Sequence, residues 1–282
     1  MEKIGILIDS TSLTRAELKE YPFIKIVSLY VTLDGTSRKE EDITTEEMIE
    51  QLHKAKHITT SQPAPGEFLE KYEEFHNEGY TNVLVVTISD KLSGTYQSAM
   101  IAKTMIDFEM DISIHAPQLA SFGVANGVAL LAEMVAEGAS FEEVQKRYYT
   151  IFKNGAVMFT LGNLMNLFRG GRLNRIQALL GTVLRIKPIV EMVEGKLQLT
   201  KKERTNLACF EYFMNKADEY CQKFKKVYFD IIHLNRPEWA EKIRLYISGK
   251  YPAAGIHMTD YVSPVFFAHL GDQGFGLAVA AE

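Results

Sequence analysis

The chain has 282 residues, 46% of them hydrophobic and 24% charged, with a formal net charge of −5. That is room for one large or two medium domains of an ordinary globular protein, and the acidic balance gives no support for a nucleic-acid partner. No apolar run reaches membrane-spanning length. The only cysteines, Cys209 and Cys221, share one helical pattern at a separation unlike a metal-ligand spacing, so they read as structural thiols in a reducing compartment.

Met1-Glu2-Lys3 runs directly into Ile4–Ile8, with no signal-peptide pattern, and the expected location is cytoplasmic. Ile4–Ile8 is a continuous apolar run ending at Asp9-Ser10-Thr11-Ser12, which predicts a parallel strand buried on both faces with a polar carboxyl end. Thr14–Glu20 is a short helix candidate, Ile24–Leu33 a second strand, and Asp34-Gly35-Thr36 a turn. Thr44 or Thr45 caps a helix over Glu46–His53, with acids at the positive end of its dipole. The segment Thr59–Pro65 reads as a loop, and Pro65 opens a helix through Asn77. Val83–Ile88 is the clearest buried strand, and Ser93 caps a helix over Tyr96–Ile106. Ile112–His115 is a strand, followed by helices over Ser121–Glu137 and Ser140–Phe152.

From about residue 155 the pattern changes. Val157–Leu161 reads as a strand and Leu161–Phe168 as a short helix. Ile186–Val193 and Lys196–Thr200 form a hairpin about Glu194-Gly195. A helix over Thr205–Lys223, a strand over Val227–Ile232, a helix over Pro237–Ile247 and strands over Ala254–Thr259 and Leu277–Ala281 follow. The expected fold is α/β in two domains. Residues 1–154 form a parallel-sheet N-terminal domain, and residues 155–282 an α+β second domain with a mixed or antiparallel sheet.

Four constellations carry possible chemistry. Thr60-Ser61-Gln62-Pro63 groups hydroxyls on a stiff platform; it is either a self-satisfied helix approach or a donor set for a carboxylate or phosphate. Ser93-Gly94-Thr95 lies at a strand-to-helix switch, where open α/β sheets bind ligands, although a simple helix cap explains it equally well. It lacks the glycine frame of a nucleophile elbow. Arg169-Gly170-Gly171-Arg172 has neither phosphate-loop nor dinucleotide spacing, but its glycines permit a backbone path that aims Arg172 into a cleft; Arg204 supports that cleft or is solvated. His269 begins a glycine-rich loop, His269–Gly276, before the final strand. No histidine or cysteine cluster has metal-ligand spacing, and no metal or cofactor is expected.

The order Asp9-Ser10, Thr60–Pro63, Leu92–Thr95, Arg169–Arg172 and His269-Leu270-Gly271 resembles the DegV family over nearly the whole chain. That resemblance implies two-domain α/β proteins that bind a long-chain fatty acid. It also implies a lipid-binding carrier subunit with no catalytic activity alone, similar to the fatty-acid-binding subunits of bacterial fatty acid kinase. A separate ATP-dependent kinase subunit would then make the acyl-phosphate. By the same resemblance Thr60, Ser61, Ser93, Gly94 and His269 surround the carboxylate, Arg172 lies beside it, and the tail fills an interdomain tunnel. The chain departs from the family pattern at His115-Ala116-Pro117-Gln118 and at Asp272, a carboxylate close to the expected anion site. The alternative is a phosphotransfer or acyl-transfer enzyme using His269 or Ser93 covalently. A sugar- or nucleotide-binding regulator is a third reading on architecture alone. Transient contact with a membrane surface stays open.

Overall fold

The computed structural model describes residues 2–173, 186–259 and 261–282. Its first sheet is wholly parallel, with β1 (Ile4–Asp9), β2 (Ile24–Val27), β6 (Asn82–Val86) and β7 (Asp111–His115) in the order β2-β1-β6-β7. Every residue of β1 is buried, as the continuous apolar run requires. Side chains alternate across the pleat: Leu7, Val83 and Val85 enter one cluster, and Ile4, Ile6, Ile8, Leu84 and Val86 enter another. On the first face lie α2 (Pro65–Asn77) and α3 (Thr95–Lys103), contributing Phe68, Tyr72, Phe75, Ala99 and Ala102.

The second sheet is mixed and six-stranded. It comprises β8 (Ala156–Leu161), β9 (Lys187–Val193), β10 (Lys196–Glu203), β11 (Val227–Leu234), β12 (Gly255–Met258) and β13 (Gly274–Ala281), ordered β10-β9-β8-β13-β11-β12. Only the β11–β12 pair is parallel. One face carries α7 (Asn206–Lys223) and α8 (Pro237–Lys250) over Met158, Phe229, Ile231, Phe275 and Leu277. The other face, with Val157, Phe159, Leu161, Ile232 and Leu234, shares a single buried cluster with Ile6, Ile8 and Val86 of the parallel sheet. Both sheets therefore contribute to one apolar seam. Within it lies α4 (Phe122–Ala136), packed across β8, β11 and β13, with α5 (Phe141–Lys153) beside it.

A third sheet departs from the sequence expectations. Ile24–Leu33 divides at Ser28-Leu29 into β2 and β3 (Tyr30–Leu33), and β3 joins β4 (Thr36–Lys39) and β5 (Ile58–Ser61) in an antiparallel sheet. The break follows from long-range bonds: Ser10 Oγ accepts from Leu29 N–H at 2.8 Å, and Leu29 C=O accepts from Glu40 N–H at 2.9 Å. These bonds draw Leu29 out of either ladder. Thr60 and Ser61 thus lie on the edge strand β5, opposite Val31 and Tyr30, rather than in a loop.

Two helix starts follow their local chemistry. Thr44 accepts from Glu47 N–H at the head of α1 (Thr45–Lys54), and Pro65 opens α2. At Ser93 the outcome differs, since α3 starts at Thr95 with Gly94 as its N-cap.

The parallel sheet and α2 meet at Gly5, where an added Cβ would overlap the fully buried Phe75 ring. Gly5→Ala is expected to lower unfolding stability by about 1–3 kcal/mol through overpacking. Urea denaturation measures this, and an unchanged midpoint would contradict the contact.

Candidate functional site

The parallel sheet reverses its direction of growth between β1 and β6, because the chain first adds β2 on one side of β1 and then β6 and β7 on the other. Such a reversal leaves an opening beyond the strand carboxyl ends, the general ligand position in open α/β sheets. Asp9 closes its base. Its carboxylate accepts from Thr11 N–H at 3.0 Å, from the Thr11 hydroxyl and from Ile88 N–H at 2.6 Å. The Leu92–Thr95 turn emerges just beyond, with Ser93 Oγ and Thr95 Oγ1 2.8 Å apart.

The two hydroxyl-rich turns meet. The Gln62 amide lies against Gly94, where an added Cβ would come within 2.8 Å of Gln62 Nε2. Residues of the second half of the chain complete the enclosure. The tip of the β9–β10 hairpin docks on the loop after β6, with Ser89 Oγ donating to Gly195 C=O at 2.8 Å. Arg172 donates from Nε to Leu92 C=O at 3.1 Å and from Nη1 to Gly170 C=O at 2.6 Å, so the guanidinium ties the Arg169–Arg172 segment to the Ser93 turn. This segment ends α6 (Met165–Arg169), and Gly171 takes the left-handed conformation with φ +74°.

His269 stands on the last turn of α9 (Pro264–Leu270), not in a loop; Gly271, with φ 79°, ends that helix. Its Nε2 lies 2.8 Å from Thr60 Oγ1. The ring fits only because Gly170 has no side chain, since a Cβ there would overlap Nδ1. Burial, together with the nearby Arg172 charge, pushes the imidazole down to about 4. The ring is therefore neutral near pH 7, with one N–H and one lone pair to exchange with a hydroxyl or an oxyanion.

Thr60, Ser61, Ser93, Arg172 and His269 line one internal cavity, whose remaining walls include Leu29, Ile88, Leu92, Val265 and Leu270. Its volume is about 40 Å³. A second void of about 20 Å³ shares Leu270 and runs among Phe122, Phe159, Ile232 and Val262. A neighbouring pocket of about 570 Å³, the mouth, shares Thr60, Arg172 and His269 with it and adds Lys56, His57 and Arg169. The arrangement is a cluster of hydroxyls, a neutral imidazole and the Arg172 guanidinium that shares its lining with aliphatic side chains and adjoins further basic ones.

Asp272 does not enter the cavity lining; its carboxylate lies 3.0 Å from His53 Nε2. Arg204 is exposed and lines neither the cavity nor the mouth. Among the described residues no group of three or more His, Cys, Asp and Glu could hold a metal, and no helix is long and apolar enough to cross a membrane. Lys56 and His57 enter the lining of the mouth although no motif marks them, and Glu40, from an acidic run, is buried.

Residues 3–282 match a family model described as "Uncharacterised protein, DegV family". The chain belongs to the DegV family. A DegV domain-containing protein of Staphylococcus aureus is 31% identical over 99% of both chains. Two solved DegV structures superpose with a TM-score of 0.89 at 28% identity. One, from Thermus thermophilus, is described by its fatty acid binding and covers 99% of this chain and 100% of its own. The other, DegV from Bacillus subtilis, is described as a fatty acid binding protein and matches over 100% of both chains.

An NMR titration of the His269 ring should show a midpoint near 4, and one near the ordinary 6.5 would contradict its burial. Because the folded value lies below the unfolded one, the neutral ring's contribution is present above 6.5 and is lost as pH falls toward 4. Wild-type stability should therefore fall relative to His269→Gln across that interval.

Proposed function

We propose that this DegV protein binds a long-chain fatty acid in the seam between its two large sheets and presents the carboxylate to a separate ATP-dependent kinase subunit. One observation carries the reading: the same cavity is lined by hydroxyls, an imidazole and a guanidinium and by aliphatic side chains. In this reading Thr60, Ser61, Ser93 and His269 hold the head group and Arg172 lies beside it, while Gly94, outside the cavity lining, instead seats the Gln62 amide that lines it. The DegV proteins of known structure that are described as binding fatty acids support the ligand class.

The tail supplies most of the affinity. A dozen buried methylenes contribute roughly 10 kcal/mol, against about 1 kcal/mol for a neutral hydrogen bond to the head. Voids of about 40 and 20 Å³ hold no more than about one or two waters. Entry of an acyl chain therefore requires the facing side chains about Leu270 to part.

The mouth suits the second half of the proposal. A phosphoryl donor arriving there meets Lys56, Arg169 and Arg172, and the mouth's described lining contains no Asp or Glu. The covalent alternative needs a serine activated by a base. Ser93 instead meets Thr95, and His269 meets Thr60, so these contacts favour a carrier over a nucleophile.

Non-denaturing mass spectrometry of the purified protein should show a bound fatty acid, and Ser93→Ala should weaken binding by about 1 kcal/mol. A protein that arrives empty and takes up no added fatty acid would refute the binding reading. A stable phospho-His269 or acyl-Ser93 adduct during turnover would instead establish the enzyme alternative.

A further inference from the structure

Glu40 is wholly buried, although it lies in the acidic run Glu40-Glu41-Asp42. Its Oε1 accepts from the Ser10 hydroxyl, and its Oε2 accepts from the Ser263 hydroxyl and from Val265 N–H at 3.2 Å. The carboxyl therefore joins the end of β1 to the start of α9. It also sits directly behind the cavity: Val265 is one wall, and Leu29, whose C=O accepts from Glu40 N–H, is another. Val265 and His269 are four residues apart on α9, or about 6 Å along its axis.

A second buried carboxyl, Asp9, faces the same region and acts on Glu40 through its charge. Asp9 is itself raised by burial; the other groups recorded against Glu40 are the Ser10 and Ser263 hydroxyls, Val265 N–H and Tyr261, on which Glu41 also acts. Arg172 and His269 stand at the head-group end of the cavity. Burial raises Glu40 to about 7, while the three donors and the Asp9 charge pull in opposite directions.

We propose that Glu40 makes capture of an anionic ligand proton-linked: a carboxylate entering between Thr60, Ser93 and His269 drives Glu40 to take a proton from solvent. This rests on the fatty-acid reading of the site and adds its regulation. A third carboxylate brought beside two buried ones is tolerated better when one of them is neutral. By thermodynamic reciprocity, a neutral Glu40 then holds the ligand more tightly and an ionised Glu40 favours release. No bond to the ligand is made; Glu40 only gains a proton and one serine reverses its hydrogen bond.

The test uses the fluorescent fatty acid cis-parinarate, titrated into wild-type, Glu40→Gln and Ser263→Ala proteins from about pH 6 to about pH 8.5, which brackets a carboxyl near 7. Wild-type affinity should fall about tenfold across that window, and Glu40→Gln, which mimics the neutral acid, should stay flat within about twofold. Ser263→Ala removes a donor to the ionised form, so its midpoint should move to higher pH. A flat wild-type profile, or an equal fall in Glu40→Gln, overturns the proposal while leaving fatty-acid binding intact. If Glu40→Gln does not fold, Ser263→Ala decides, and an unmoved midpoint overturns it. A wild-type protein that binds no parinarate at any pH refutes the fatty-acid reading and this inference with it.

Discussion

Thr60 Oγ1 and His269 Nε2 meet at 2.8 Å across 209 residues of chain. The geometry of the site depends on that contact. It needs β5 to place Thr60 on an edge strand, α9 to end at Gly271, and Gly170 to leave room for the ring. The Arg172 bonds to Leu92 and Gly170 then bring the Ser93 turn into the same cluster. A neutral imidazole at this position is a consequence of burial and of the nearby Arg172 charge, and it is compatible with the proposed reversible capture of a carboxylate.

The fold creates the apolar side of the site for a different reason. Each large sheet covers one face with its own helix pair, and the remaining faces share a cluster with α4. A seam between two such faces has no backbone donors to satisfy along its length, because those are spent in the ladders. It can therefore admit a hydrocarbon chain at little polar cost. Several buried polar groups gather where the parallel ladders end: Asp9, Ser10 and Thr11 at the close of β1, and Ser89 beyond β6.

Much of this was legible in the sequence because it is local. The runs Ile4–Ile8 and Val83–Ile88 announce strands buried on both faces, and Thr44 and Pro65 mark helix starts. The errors arise where distant residues decide. The division of Ile24–Leu33 depends on Ser10 and Glu40, and no periodicity within the segment encodes it. The glycines after His269 suggested a loop, but only one of them, Gly271, ends the helix that carries the ring. Asp272 looked threatening in the chain, yet a histidine 219 residues away pairs with it. Glu40 read as one more solvated acid because its partners Ser10 and Ser263 lie 30 and 223 residues distant.

In the proposed complex the head group sits between the two halves of the chain and the tail runs inward along the seam. A crystal structure with a fatty acid brominated at its methyl end would test it directly. The carboxylate should then lie among Thr60, Ser93 and His269, with anomalous bromine density beyond Leu270 among Phe122, Phe159 and Ile232. Bromine density in the outer mouth beside Lys56 and Arg169 would contradict it.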